Sequence, residues 1–236
     1  AVDRTSPSPM PLILIICRAN ICRSPLAEVL LATRLAATQS LASVKVESAG
    51  TLAQPERGMC ALASAKAVSL GVATGYSSHR SRRMNPELLQ AADLILTAES
   101  EQRGAAALMM PSARSRIFTL KEAAELATNM AVTRSATRVS INTDDGLQTW
   151  VDSLHELRED ANAQHSAGPK SPPITAWHRR LRRSRSTDVA SQDIVDGHNL
   201  GERMHRATFA DVEQAVERLV AGIAASTDLT GSDPRL

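Results

Sequence analysis

An unbroken apolar run, Leu12-Ile13-Leu14-Ile15-Ile16, leads straight into Cys17, and a helical pattern starts at Pro25. A short run that is apolar on every residue reads as a strand buried on both faces, the kind found in a parallel sheet covered by helices. The stretch Cys17-Arg18-Ala19-Asn20-Ile21-Cys22-Arg23-Ser24-Pro25 therefore joins a strand end to a helix start. Amides at a helix start point outward without partners, and the helix dipole there favours negative charge. A turn of such amides wraps a tetrahedral oxyanion.

Each residue of this stretch has work open to it. The amide field and the Arg23 charge favour the thiolate of Cys17, a nucleophile. Arg23 presents a planar fork that holds two phosphoryl oxygens, which lysine cannot do. The amides of Arg18, Ala19, Asn20, Ile21, Cys22 and Arg23 line the turn. Asn20 tolerates a left-handed backbone, as a tight loop requires. Ser24 is expected to N-cap the helix, with Pro25 at the first helical position, and its hydroxyl can reach the Cys17 sulfur.

The pattern C-x5-R-[ST] after a short apolar strand resembles the phosphate loop of protein tyrosine phosphatases. The longer string Cys17-x-x-Asn20-x-Cys22-Arg23-Ser24-Pro25-x-Ala27-Glu28 resembles the low-molecular-weight protein tyrosine phosphatase family. Ser48-Ala49-Gly50-Thr51 is a second match. The resemblance implies that Ser48 supports Asn20, that His79 packs behind the phosphate loop, and that Cys17 and Cys22 can form a reversible disulfide. It also implies a phosphocysteine mechanism, in which one aspartate is acid and then base. Asp196 stands at the family's place for that aspartate, in Asp193-Ile194-Val195-Asp196-Gly197, with Asp193 as fallback. Gly197 replaces the family's proline, which is expected to loosen the loop carrying the acid.

The rest of the chain reads as alternating strands and helices. Strands are expected at 44–47, 91–97 and 116–119, with helices at 25–38, 58–70, 98–109, 120–127 and 202–225. That alternation predicts an α/β fold with three layers and a four-stranded parallel sheet, the phosphate loop lying at the end of the first strand. Ligands in such sheets sit beyond the strand carboxyl ends, so Glu99, read as a first-turn helix acid, is a further candidate near the site. The expected organisation is a tail over 1–11, one domain over 12–225 interrupted by an insertion at 128–187, and a tail over 226–236. Within the insertion, Thr149–Asp160 reads as an amphipathic helix carrying Trp150, Val151, Leu154 and Leu157, and 162–173 as a loop.

Composition narrows the classes. Only 2% of residues are aromatic, so the core must be aliphatic. The net charge of +2 and the scarcity of aromatics beside arginines give no sign of a nucleic-acid reader. The run Arg179-Arg180-Leu181-Arg182-Arg183-Ser184-Arg185 suits an acidic partner, or simply a solvated segment. Three cysteines make no disulfide framework, and a catalytic thiol suits a reducing, cytoplasmic setting. Cys60 reads as a helix packing residue. No signal peptide or spanning segment is expected, and no metal-ligand cluster is legible, so neither metal nor organic cofactor is implied.

The leaving-group pocket departs from the family. Its aromatic places hold Gln54, His198 and Asn199, and Arg18 follows the nucleophile. The expected substrates are phosphorylated proteins or small phosphomonoesters, phosphotyrosine being implied by the resemblance alone. Two other readings stay open. One is an arsenate reductase of the same fold that uses a small-thiol reductant. The other is a catalytically weak phosphate-binding module.

Overall fold

The computed structural model describes residues 10–38, 41–72, 77–133, 146–166 and 192–227. Four parallel strands form the sheet in the order β2-β1-β3-β4. They are β1 (Leu12–Cys17), β2 (Lys45–Gly50), β3 (Leu94–Thr97) and β4 (Ile117–Thr119). β1 is internal, pairing Ile16 with Ala49 on one side and with Thr97 on the other. The carboxyl ends of all four strands therefore gather along one edge, with Cys17 between Gly50 and the end of β3.

Alternate residues of β1 face opposite layers. Ile13 and Ile15 join the larger cluster with α1 (Arg23–Ala36), α5 (Leu120–Thr133), α6 (Gly146–Ser166) and α7 (Glu202–Thr227). α2 (Ala61–Ser69) adds Ala63 and Ala67 to it. Leu14 and Ile16 join the smaller cluster with α3 (Pro86–Ala91) and α4 (Ser100–Met109), completed by Ala113 from a short 3-10 helix, Pro111–Arg116. The layers are thus helix, sheet, helix.

Several boundaries differ from expectation, for local reasons. β2 continues through Ser48, Ala49 and Gly50 because their backbones pair with β1. Ala91 ends α3 instead of opening β3. Asn85 caps α3, accepting from the Leu88 amide at 2.9 Å, and Pro86 takes the first helical position. An Asn-Pro pair is a helix-start signal of this kind.

The described parts of the expected insertion pack against the domain. Position 128 falls inside α5, and α6 spans the whole of the expected amphipathic helix. Trp150, Val151 and Leu154 are buried in the same cluster as Ile13 and Ile15. Arg158 lies over the Phe118 ring, 4.4 Å from its centroid, and donates to the Ile117 carbonyl at 2.8 Å. The Arg179–Arg185 run lies outside the described residues, as does most of the expected 162–173 loop. Among the described residues no helix is long and apolar enough to cross a membrane.

Candidate active site

Cys17 ends β1, buried, and the chain turns around its sulfur. The Asn20 amide donates to Cys17 Sγ at 3.3 Å, and Ser24 Oγ lies 3.0 Å from the same atom. Asn20 has φ 54°, the left-handed conformation expected of it. α1 begins at Arg23, with Cys22 at the N-cap and no side-chain cap bond. Ser24 is therefore not the N-cap, and Pro25 is the third helical residue. The physical reason is that the first intrahelical bond runs from the Leu26 amide to the Cys22 carbonyl, at 3.1 Å, leaving the Ser24 hydroxyl free to face the thiol.

Asn20 knots the loop to the sheet edge. Its Nδ2 donates to Ser48 Oγ at 2.7 Å and Ser24 Oγ at 3.0 Å, and its Oδ1 accepts from the Arg82 amide at 2.9 Å. His79 Nε2 donates to the Asn20 carbonyl at 2.8 Å, from behind the loop. Ser48 in turn donates to Glu28, whose carboxyl is pushed up by burial against the pull of that bond. Gly50 is where the loop comes closest. A Cβ there would lie 2.7 Å from the Arg18 carbonyl oxygen and 2.9 Å from the Asn20 nitrogen, so no side chain fits.

Arg23 is buried and splits its guanidinium between two acids. Nη1 meets Glu99 Oε2 and the Ile194 carbonyl, each at 2.7 Å, and Nη2 donates to Asp196 Oδ2 at 2.7 Å. Glu99 is not a first-turn acid: it N-caps α4, exchanging hydrogen bonds with Gln102. Asp196 is partly exposed, and its Oδ1 accepts from the His198 amide at 3.1 Å. Asp193 is occupied elsewhere, accepting from the Ser100 amide at 2.8 Å and hydroxyl at 2.7 Å at the start of α4. Asp196, and not Asp193, shares the phosphate-loop arginine.

Gly197 packs tightly, contrary to the expected loosening. It is buried against the first turns of α7, and a Cβ would lie 2.6 Å from the Met204 carbonyl oxygen and 2.5 Å from Thr208 Oγ1. Helix backbone cannot yield as a side-chain tip can. Gly197→Pro, the family residue, is therefore expected to lower stability by about 1–3 kcal/mol in urea denaturation. An unchanged or higher midpoint would mean that α7 has room to shift.

The fold also brings together residues that the sequence left apart. Cys60, expected as a packing residue, is the N-cap of α2, and its sulfur lies 3.0 Å from Cys22 Sγ. His198 Nδ1 lies 3.1 Å from Cys22 Sγ, and His205 Nε2 3.7 Å from Cys60 Sγ. The expectation of no ligand cluster is overturned, because these four donors converge from four segments. The Cys22 thiol is pushed up by the hydrogen bond with Cys60 and by burial, while that same bond takes Cys60 down to about 6. Burial lowers His205. No ligand-type spacing announced this cluster: its members lie 38, 138 and 7 residues apart in order (22 to 60, 60 to 198, 198 to 205).

The mouth residues Arg18, Gln54, His198 and Asn199 are all exposed. Comparison with known proteins matches residues 12–133 to a sequence model described as low molecular weight phosphotyrosine protein phosphatase. Over 104 residues the chain is 36% identical to the low molecular weight protein-tyrosine-phosphatase Etp of Escherichia coli K12, covering 44% of this chain and 65% of that protein. Over 115 residues it is 33% identical to the protein-arginine-phosphatase of Bacillus subtilis 168, covering 47% of this chain and 70% of that one. The solved tyrosine phosphatase Wzb of Escherichia coli K30, in complex with sulphate, superposes with a TM-score of 0.55 at 19% identity over 90% of this chain and 97% of that one. At that identity the likeness shows the fold. The segment carrying Asp196 lies beyond the residues matched by the family model, so its assignment rests on geometry.

Proposed function

Because the chain belongs to the low molecular weight phosphotyrosine protein phosphatase family, we propose that it hydrolyses phosphomonoesters through a phosphocysteine on Cys17. The observation that carries this reading is the hydrogen bond from Arg23 to Asp196, at 2.7 Å, which holds a carboxylate beside the loop that cradles the nucleophile. The Cys17 thiolate attacks phosphorus in line, the bond to the leaving oxygen breaks, and Asp196 gives that oxygen a proton. The amides from Arg18 to Arg23 and the Arg23 fork stabilise charge on the equatorial oxygens. Asp196 then takes a proton from water as the water oxygen attacks phosphorus. The P–S bond breaks, releasing phosphate and the thiolate. The Ser24 hydroxyl, 3.0 Å from the sulfur, stabilises that leaving thiolate. Ser48 and His79 are positioning residues: they hold Asn20, and Asn20 holds the turn.

Phosphotyrosyl protein is the substrate class the family supports. A second class, phosphoarginyl protein, is raised by the Bacillus subtilis relative. The exposed Arg18 disfavours it, since a cationic leaving group would meet a cation at the mouth. Acid quenching during turnover, followed by peptide mapping, is expected to recover phosphate on Cys17, with more recovered from Asp196→Asn because hydrolysis of the intermediate is slowed. Peptides bearing phosphotyrosine and phosphoarginine, compared by kcat/KM, then assign the class. Turnover with no phosphocysteine in either protein would overturn the mechanism. Arsenate reduction without phosphate release would move the assignment to the arsenate reading.

A further inference from the structure

The four donors beside the phosphate loop have the composition and spacing of a closed metal centre. Cys22 Sγ, Cys60 Sγ, a His198 ring nitrogen and a His205 ring nitrogen all lie within 4.8 Å of one another. The separations resolved individually are 3.0, 3.1 and 3.7 Å. Zinc bonds of about 2.3 Å to sulfur and 2.0–2.1 Å to nitrogen give a tetrahedron whose donor–donor edges are about 3.3–3.8 Å. Those three separations lie within or just below these edges and no other pair exceeds 4.8 Å, so adjustments of about an ångström close the shell. The two imidazoles already stand edge to face, with centroids 5.1 Å apart and planes at 86°, so their nitrogens approach one point from different directions.

We propose that Cys22, Cys60, His198 and His205 bind one zinc ion in a four-coordinate structural site. Two thiolates and two neutral imidazoles balance the dication, which suits a half-buried place, and this soft and borderline donor set selects zinc over magnesium or calcium. All four positions are filled by protein, so none is left for a reacting water. The ion ties the phosphate loop (Cys22) and the start of α2 (Cys60) to the acid segment (His198) and the first turn of α7 (His205). Cys22 directly precedes Arg23, and His198 lies two residues beyond Asp196, so the ion sets the acid against the arginine. This last role, and the loss of Cys22 as a disulfide partner for Cys17 while zinc is bound, rests on the phosphatase reading. Zinc binding itself does not.

The test is metal content and cobalt spectroscopy on the full chain, kept reduced. The wild type is expected to hold one zinc per chain through dialysis. Exchange with Co2+ alone should give the intense ligand-field bands of a tetrahedral ion and thiolate-to-cobalt charge transfer. Cys60→Ser and His205→Gln are expected to weaken Co2+ binding at least about 100-fold and to lose part of the charge transfer or shift the bands. Circular dichroism checks each variant's folding, and half-buried Cys60 is the safer change should His205→Gln fail to fold. A folded, reduced wild type that takes up neither ion at micromolar concentration would overturn the site. So would a Cys22–Cys60 disulfide that persists in reductant, or unchanged cobalt spectra in folded Cys60→Ser. Bound zinc without any phosphate hydrolysis would leave the site standing and remove the phosphatase reading.

Discussion

Cys17→Ser is expected to lower para-nitrophenyl phosphate turnover by at least about 10⁴-fold, because a hydroxyl is a far weaker acid than a thiol and a far poorer nucleophile when protonated. Two polar groups surround Cys17 Sγ. The Asn20 backbone amide donates to the sulfur, and the Ser24 hydroxyl lies 3.0 Å from it. Asp196→Asn should cost less, about 10²-fold on this substrate. Para-nitrophenolate departs without much help, so the lost acid weighs mainly on the water step. With a poor alkyl leaving group the same variant should fall further, and that difference identifies Asp196 as the acid. Equal losses on both substrates would reduce Asp196 to a partner that orients Arg23. A wild type that binds phosphate and turns nothing over would favour the binding-module reading.

Trp150→Ala is expected to destabilise the whole domain by about 3–5 kcal/mol, the range for truncating a large buried aromatic. The Trp150 side chain is fully buried among α5, α7 and the sheet, and its indole nitrogen donates to Ser226 Oγ at 3.4 Å. Truncation leaves a cavity bounded by helix backbones, which close over it only in part. The loss should appear as one cooperative transition in urea, shifted in midpoint, with hydrolysis retained at low denaturant. A change below about 1 kcal/mol, or a separate early transition, would mean that α6 folds as an appendage. The aliphatic composition makes this position more important. With 2% aromatic residues, few side chains in the chain fill so much of the core.

Much of the nucleophile's loop was legible because its chemistry is local. Cys17, Asn20 and Ser24 lie within one turn of chain, so their types and spacing already state that a sulfur, a left-handed residue and a hydroxyl meet. The apolar run before them identified a buried parallel strand, and the alternation that followed identified the layers. What misled was also specific. Ser24 followed by Pro25 looks like a cap, yet the turn places its hydroxyl on the thiol and starts the helix at Arg23. Gly197 looks like a loosened hinge, yet it is glycine because the α7 backbone passes too close for a Cβ.

Sequence alone determined the strand, the anion loop and the thiol, since those depend on neighbours a few residues apart. Tertiary structure alone decided which acids meet Arg23, whether α6 joins the core, and that two cysteines and two histidines lie together. Arg23 meets Asp196 across 173 residues of chain, and Cys22 meets His198 across 176. Nothing in the local pattern encodes such pairings. They form only because α7 packs back along α1 and α5, and the energy that places it there is spread over a buried aliphatic face rather than written in the residues it brings together.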